Sequence, residues 1–113
     1  MNFIPATCQK GFITLCNGTK VSKFNGDHKL VTLGIRPEHL KINKKGNVRV
    51  IVQMVEQLGA NSLIHGLLEK TDLEFVVSIP GHVSAEVGSV MAFSVDHENI
   101  HIFQSETGKR IPQ

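Results

Sequence analysis

Apolar residues along this chain recur in short runs closed by turn formers, with the two-residue alternation or β-branched density of strands. Phe12-Ile13-Thr14-Leu15-Cys16 is followed by Asn17-Gly18, a strong hairpin signal because both residues accept positive φ at low cost. Val21-Ser22-Lys23-Phe24 comes next, then the turn Asn25-Gly26-Asp27. Leu30-Val31-Thr32-Leu33-Gly34-Ile35 predicts another strand, stopped at Arg36-Pro37 because proline cannot donate to a ladder. Pro37-Glu38-His39-Leu40 fits one helical turn with proline at its first position.

Beyond the polar stretch Asn43-Lys44-Lys45-Gly46-Asn47, the β-branched run from Val48 to Val55 predicts a longer strand. The segment from Glu56 to Asn61 reads as a break. Runs from Ser62 to Leu68 and from Leu73 to Ile79 read as a hairpin joined at Lys70-Thr71-Asp72 and ended by Pro80-Gly81. Ser89 to Val95 and Ile100-His101-Ile102-Phe103 complete the set. No apolar pattern keeps helical period over the roughly 10–12 residues a helix needs. The expectation from the residues is an all-β sandwich or barrel of about eight or nine short strands.

At 113 residues the chain is one domain's worth of material, and no composition shift marks an internal linker. Its 41% hydrophobic content suits a packed core, and 19% charged content argues against extended disorder. A net charge of +2 is too small for electrostatic nucleic-acid binding. No apolar run approaches the roughly 18 residues of a membrane span. The residues from Met1 to Thr7 lack the basic and apolar regions of a secretory signal. Cys8 and Cys16 are spaced so that they could face each other across a hairpin; the expected state is two free thiols in a reducing compartment. No CxxC spacing exists for a zinc knuckle.

His97-Glu98-Asn99-Ile100-His101 matches H-E-x-x-H letter for letter. That zinc chemistry needs a helix placing both imidazoles on one face, and a third ligand. Here strand-like runs flank the string, so Asp96-His97-Glu98-Asn99 is expected to be a turn. The other histidines, His28, His39, His65 and His82, are scattered among turns and strand ends and fit exposed titrating groups. A phosphate loop is absent, because Phe103 stands where the first glycine before Gly108-Lys109 should be. No nucleophile elbow or cysteine-protease string occurs, so no catalytic residue is assigned. With no Trp or Tyr, and with the six Phe mostly inside predicted strands, core packing is expected for the aromatics.

Four ordered segments carry a resemblance. Leu33-Gly34-Ile35-Arg36-Pro37-Glu38-His39-Leu40 resembles the "GIRPEH" segment in the C-terminal domain of import-type ABC transporter ATPase subunits. Met1-Asn2-Phe3-Ile4-Pro5-Ala6 resembles the stretch leaving their nucleotide-binding domain. The run from Val55 to Gly66, containing Glu56-Gln57-Leu58-Gly59, resembles their "E-x-LG" segment. Ile100 to Ile111 resembles their terminal element, with Gln104 in place of the usual Asp. The chain is thereby identified as a transport-associated oligonucleotide-binding-type (TOBE) domain of a carbohydrate-uptake ATPase, and its "LGA-N" variant resembles the sn-glycerol-3-phosphate branch most. Met1 matches an internal Met of that pattern, which favours a truncated piece over a separately encoded domain.

The resemblance implies an all-β, OB-like TOBE β-barrel as one domain over residues 1–113, with 1–6 as a former linker and 109–113 as a frayed tail. It implies a non-catalytic regulatory and dimerisation role for this chain in an ATP-hydrolysing parent subunit. ATP and Mg would be held by the nucleotide-binding domain, and no cofactor or metal by this chain. The implied partners are that ATPase domain, the same domain of a second copy, and a regulatory protein, with no nucleic acid and no direct membrane insertion. The implied location is cytoplasmic, peripheral at the inner face of the bacterial cell membrane. Contact residues are expected at Arg36, Pro37, Glu38 and His39 and at Glu56, Leu58 and Gly59. Arg36 and Glu38 would form an ion pair, within the corner or at an interface, and Glu56 could pair with Arg36. The alternative is an oxyanion-binding domain of the molybdate type, which shares the TOBE label.

Overall fold

In this computed structural model, which describes residues 1–9, 11–23, 30–104 and 110–111, eleven strands and no α-helix occur among the described residues. In chain order the strands are β1 (Asn2–Gln9), β2 (Phe12–Leu15), β3 (Lys20–Lys23), β4 (Val31–Ile35), β5 (Lys41–Ile42), β6 (Val48–Leu58), β7 (Asn61–Leu68), β8 (Glu74–Pro80), β9 (Val90–Ser94), β10 (Ile100–Gln104) and β11 (Arg110–Ile111). Single 3-10 turns lie at Pro37–His39 and His97–Asn99. A six-stranded sheet runs β11-β10-β4-β1-β2-β3 and a five-stranded sheet runs β5-β9-β6-β7-β8, with all pairings antiparallel. No helix among the described residues is long and apolar enough to cross a membrane.

Alternation along the strands builds the core. Ile4, Ala6 and Cys8 of β1, Leu33 and Ile35 of β4, and Ile100 and Ile102 of β10 turn inward from the first sheet. Val48, Val50 and Val52 of β6, Ile64 and Leu68 of β7, Phe75 and Val77 of β8, and Phe93 of β9 meet them from the second. These side chains form one buried cluster shared by both sheets. Burying each Val, Leu, Ile or Phe among them contributes roughly 1.5–3 kcal/mol against exposure.

Two chain segments run antiparallel through both sheets. One leaves the first sheet as β4 and enters the second as β5; the other leaves the second as β9 and returns as β10. β4 pairs with β10, and β5 pairs with β9. Each segment changes sheet through one of the 3-10 turns, entered from an extended residue, Arg36 or Asp96, each at ψ 142. Lys41 Nζ lies 3.3 Å from Asp96 Oδ2 and links the two corners. Both side chains are more than half exposed, so the pair contributes little stability.

Three features differ from the sequence expectation. The stretch from Met1 to Ala6, expected as a linker, contributes Asn2 onward to β1, an inner strand paired with β4 through Asn2–Ala6 and with β2 through Ala6–Gln9. Pro5 obscures this strand in the sequence, yet it costs the β4 ladder nothing. Its carbonyl accepts from Cys16 N–H at 3.1 Å on the β2 side, so its missing N–H also faces that side, where the ladder ends. Second, no break occurs at Glu56: β6 continues to Leu58, and Gly59-Ala60 alone make the turn to Asn61. Third, Asn17-Gly18 sits inside a four-residue loop from Cys16 to Thr19, closed by Leu15 N–H on the Thr19 carbonyl at 2.7 Å. The expected turn Asn25-Gly26-Asp27 with Phe24, and most of the tail from 109 onward, lie outside the described residues; Arg110–Ile111 pair with β10.

Candidate interaction surfaces

Proline at the first position sets φ for the 3-10 turn, and buried Leu40 anchors its exit in the core. The turn packs on β8, the edge of the five-stranded sheet. Arg36 and Glu38 point to solvent, while Pro37 and His39 are half-buried. Neither Arg36 nor Glu38 makes an ion pair among the described residues, so the pair expected at this corner is not formed within the chain. His39 Nδ1 is buried without a hydrogen-bond partner.

Glu56, Leu58 and Gly59 sit at the far end of the β6–β7 hairpin. This end extends beyond the reach of β9, which meets β6 through Val48–Ile51. The expected Arg36–Glu56 contact is absent: Glu56 Oε1 lies 3.2 Å from His65 Nε2, diagonally across the hairpin. Leu58 is exposed. Gly59, at φ +60, supplies the positive φ that the first position of this two-residue turn demands. Behind the tip, fully buried Ser62 is well satisfied. Its hydroxyl lies 2.8 Å from Gln57 Oε1 and 2.7 Å from the Gly81 carbonyl and accepts the Val83 N–H at 3.0 Å. His82 Nδ1 lies 3.0 Å from the same Gln57 oxygen, so Gln57 and Ser62 pin the chain after β8 onto the hairpin. The turn and the tip therefore form separate surfaces on separate elements.

The H-E-x-x-H string is split as its flanks suggest. His97–Asn99 form the second 3-10 turn and His101 lies on β10, so the two imidazoles do not share a helical face. His97 Nδ1 contacts the Ser22 hydroxyl. No group of three or more His, Cys, Asp or Glu side chains placed to hold a metal occurs among the described residues. Cys8 is buried opposite Ile13, and Cys16 is exposed; both are free thiols.

The aromatic expectation needs correction. Among the described residues only Phe75 and Phe93 are fully buried; Phe3 is 57% exposed, and Phe24 lies outside the described residues. Alternation that sends Ile4 inward sends Phe3 to the outer face of the six-stranded sheet. There its ring lies 6.3 Å from that of Phe103, tilted by 60°. Met1 lies over Gly34 on the same face, where a Cβ at Gly34 would meet the Met1 sulfur. The only sequence signal for this apolar patch is the period-two pattern of β1, which Pro5 masks.

The TOBE domain family matches residues 33–103, and the MalK OB fold domain family matches residues 1–40. Over 113 residues the chain is 55% identical to an sn-glycerol-3-phosphate import ATP-binding protein UgpC of Ruegeria pomeroyi, covering all of this chain and 32% of that protein. A UgpC of a second Ruegeria species is 49% identical over the same length, again with 32% of the relative covered. A UgpC of Escherichia coli is 32% identical over 103 residues, which is 89% of this chain and 28% of the relative. The chain thus spans about a third of the length of these curated relatives, 32% in both Ruegeria proteins.

Proposed function

Because the chain belongs to the TOBE domain family, we propose that it is the non-catalytic C-terminal regulatory and dimerisation domain of an ABC importer ATPase subunit for sn-glycerol-3-phosphate or a related sugar. The observation that supports this reading most is identity of 55% to a UgpC protein across every residue of the chain. In this role ATP and Mg belong to the nucleotide-binding domain, and this chain contributes protein surface. One core shared by both sheets makes the domain a rigid block suited to anchoring a moving partner. The 3-10 turn with Arg36, Pro37, Glu38 and His39, the tip with Glu56, Leu58 and Gly59, and the face with Phe3 and Met1 offer contact surfaces for the ATPase domain, a second copy, and a regulatory protein. Exposed apolar groups at Phe3, Met1 and Leu58 favour protein contact, since such side chains gain by leaving water. The domain would then sit at the inner face of the cell membrane through the transporter, without inserting.

Light scattering on the chain alone, and on the chain mixed with a purified ATPase domain of a UgpC relative, tests the reading. The expected result is a self-associated mass or co-elution with the ATPase domain, weakened by Phe3→Ser and Leu58→Ser. A monomer that ignores the ATPase domain at high concentration would overturn it.

A further inference from the structure

The chain's charges nearly balance, at 12 basic against 10 acidic residues, yet four of the cations converge. A cleft of about 610 Å³ opens between the β2–β3 turn and the turn from β5 to β6, lined by Lys20, Lys44, Lys45 and Arg49, with Gly18 and Gly46 exposing backbone. Its walls come from both sheets and are tied together: Asn47 Nδ2 donates to the Lys20 carbonyl at 3.0 Å. The Lys44–Lys45 turn is fixed as well. Asn43 Oδ1 accepts the Lys45 N–H at 2.9 Å, and a Cβ at Gly46 would lie 2.1 Å from the Phe93 carbonyl oxygen.

Among the described residues little neutralises this cleft. Glu69 pairs with Arg49 at 3.3 Å, while Lys44 and Lys45 form no ion pair among the described residues. Lys20 Nζ sits 5.1 Å over the Phe12 ring. Like charges held within a Debye length of about 8 Å repel, and an anionic occupant relieves that repulsion.

We propose that this cleft docks an acidic segment of a partner protein, presenting several Asp or Glu side chains. Its volume lies in the range of about 300–1,000 Å³ typical of ligand clefts and exceeds what one oxyanion fills. Among the described residues no aromatic side chain lines it, so these supply no platform for stacking nucleic-acid bases. Among the described residues none of the exposed large apolar side chains lines it, so it lacks the apolar anchor an interfacial membrane site uses. An extended peptide can enter, and flexible lysine stems adjust to its carboxylates. The proposal stands independently of the transport role.

Fluorescence anisotropy on the full chain tests it, with a labelled peptide of alternating Asp and Ser and its Asn-for-Asp counterpart. Phosphatidylglycerol vesicles and sodium tripolyphosphate or molybdate are measured in parallel. The acidic peptide binds and the Asn peptide does not. Lys44→Gln with Lys45→Gln weakens binding by about tenfold or more. The charge-matched control Lys41→Gln with Lys70→Gln leaves it intact, and melting curves establish that both double variants are folded. Should that Lys44/Lys45 variant misfold, Lys20→Gln alone takes its place, with the same loss expected. Equal binding to the folded cleft variant and the control overturns the proposal. So does a chain that captures vesicles or the small oxyanions through Lys44 and Lys45 while ignoring the acidic peptide.

Discussion

Asn2 and Val76 pair as though Asn2's side chain were a strand of the opposite sheet. Asn2 Nδ2 donates to the Val76 carbonyl at 2.7 Å, and Val76 N–H donates to Asn2 Oδ1 at 2.8 Å. The side-chain amide copies a peptide group and closes the outer edge of β8 with both of its hydrogen-bonding functions. Asn2 is only 6% exposed, so its partner groups cannot turn to water without local rearrangement.

Asn2→Ala should therefore destabilise the domain by about 2 kcal/mol, or roughly 8 °C in melting temperature, because two backbone groups of Val76 lose their partner. Asn2→Asp keeps the acceptor but sets a carboxylate oxygen against the Val76 carbonyl and should cost at least as much. Hydrogen exchange at the Val76 amide is the direct readout. Protection there that survives Asn2→Ala would show that the bond does not protect that amide.

The same edge is blunted a second time. Backbone groups of Val76 face outward to Asn2, so by alternation those of Ser78 and Pro80 face outward too. Pro80 has no N–H to offer there, leaving Ser78 as the unfilled docking point between two closed ones. Pro80→Val would restore a donor and lengthen the free edge. The expected outcome is concentration-dependent self-association of Pro80→Val beyond that of the parent chain, measured by sedimentation velocity. An unchanged sedimentation profile would show that proline there has no protective role.

Most of the strands are legible because inward and outward residues alternate over a common core. Where that alternation loses its core, the sequence misleads. Glu56 and Gln57 look like a break, but β6 there has run past β9 and both of its faces are wet, so polarity no longer reports secondary structure. β1 hides for the opposite reason: its buried face holds polar Asn2 and small Ala6 and Cys8 beside Ile4, and Pro5 looks like a stop. The surface at Arg36–His39 is visible through its motif. The convergence of Lys20, Lys44, Lys45 and Arg49 is not, since three separate segments meet only when the two sheets close, and a net charge of +2 conceals it. Asn2 gives no signal at all, because its partner is 74 residues away.

Two glycines separate strain from collision. Gly59 holds φ +60 with no atom within 4 Å of where a Cβ would sit, so Gly59→Ala meets only backbone strain, about 1 kcal/mol. Gly46→Ala drives its methyl into the Phe93 carbonyl, backbone that cannot swing aside, and should cost about 2 kcal/mol or more. Urea midpoints of the two variants should show the greater fall for Gly46→Ala. A Gly46→Ala protein as stable as Gly59→Ala would mean that the turn over Phe93 yields easily.

Cys8 makes stability depend on pH on the alkaline side. Burial raises its thiol above the ordinary value of 9.0. Below that value both folded and unfolded chains keep the proton, and the group adds no pH dependence. Above it the unfolded chain ionises first while the folded chain still holds its proton. The unfolded state is then favoured, and stability falls as pH climbs from 9.0 toward the raised folded-state value. Cys8→Ala should lower stability at about pH 8 through the cavity it leaves, yet lose less between about pH 8 and pH 10 than the parent chain. Thiol labelling gives an independent check: exposed Cys16 should react at once, and Cys8 only as fast as the domain opens. Parallel alkaline slopes for parent and variant would remove Cys8 from the account.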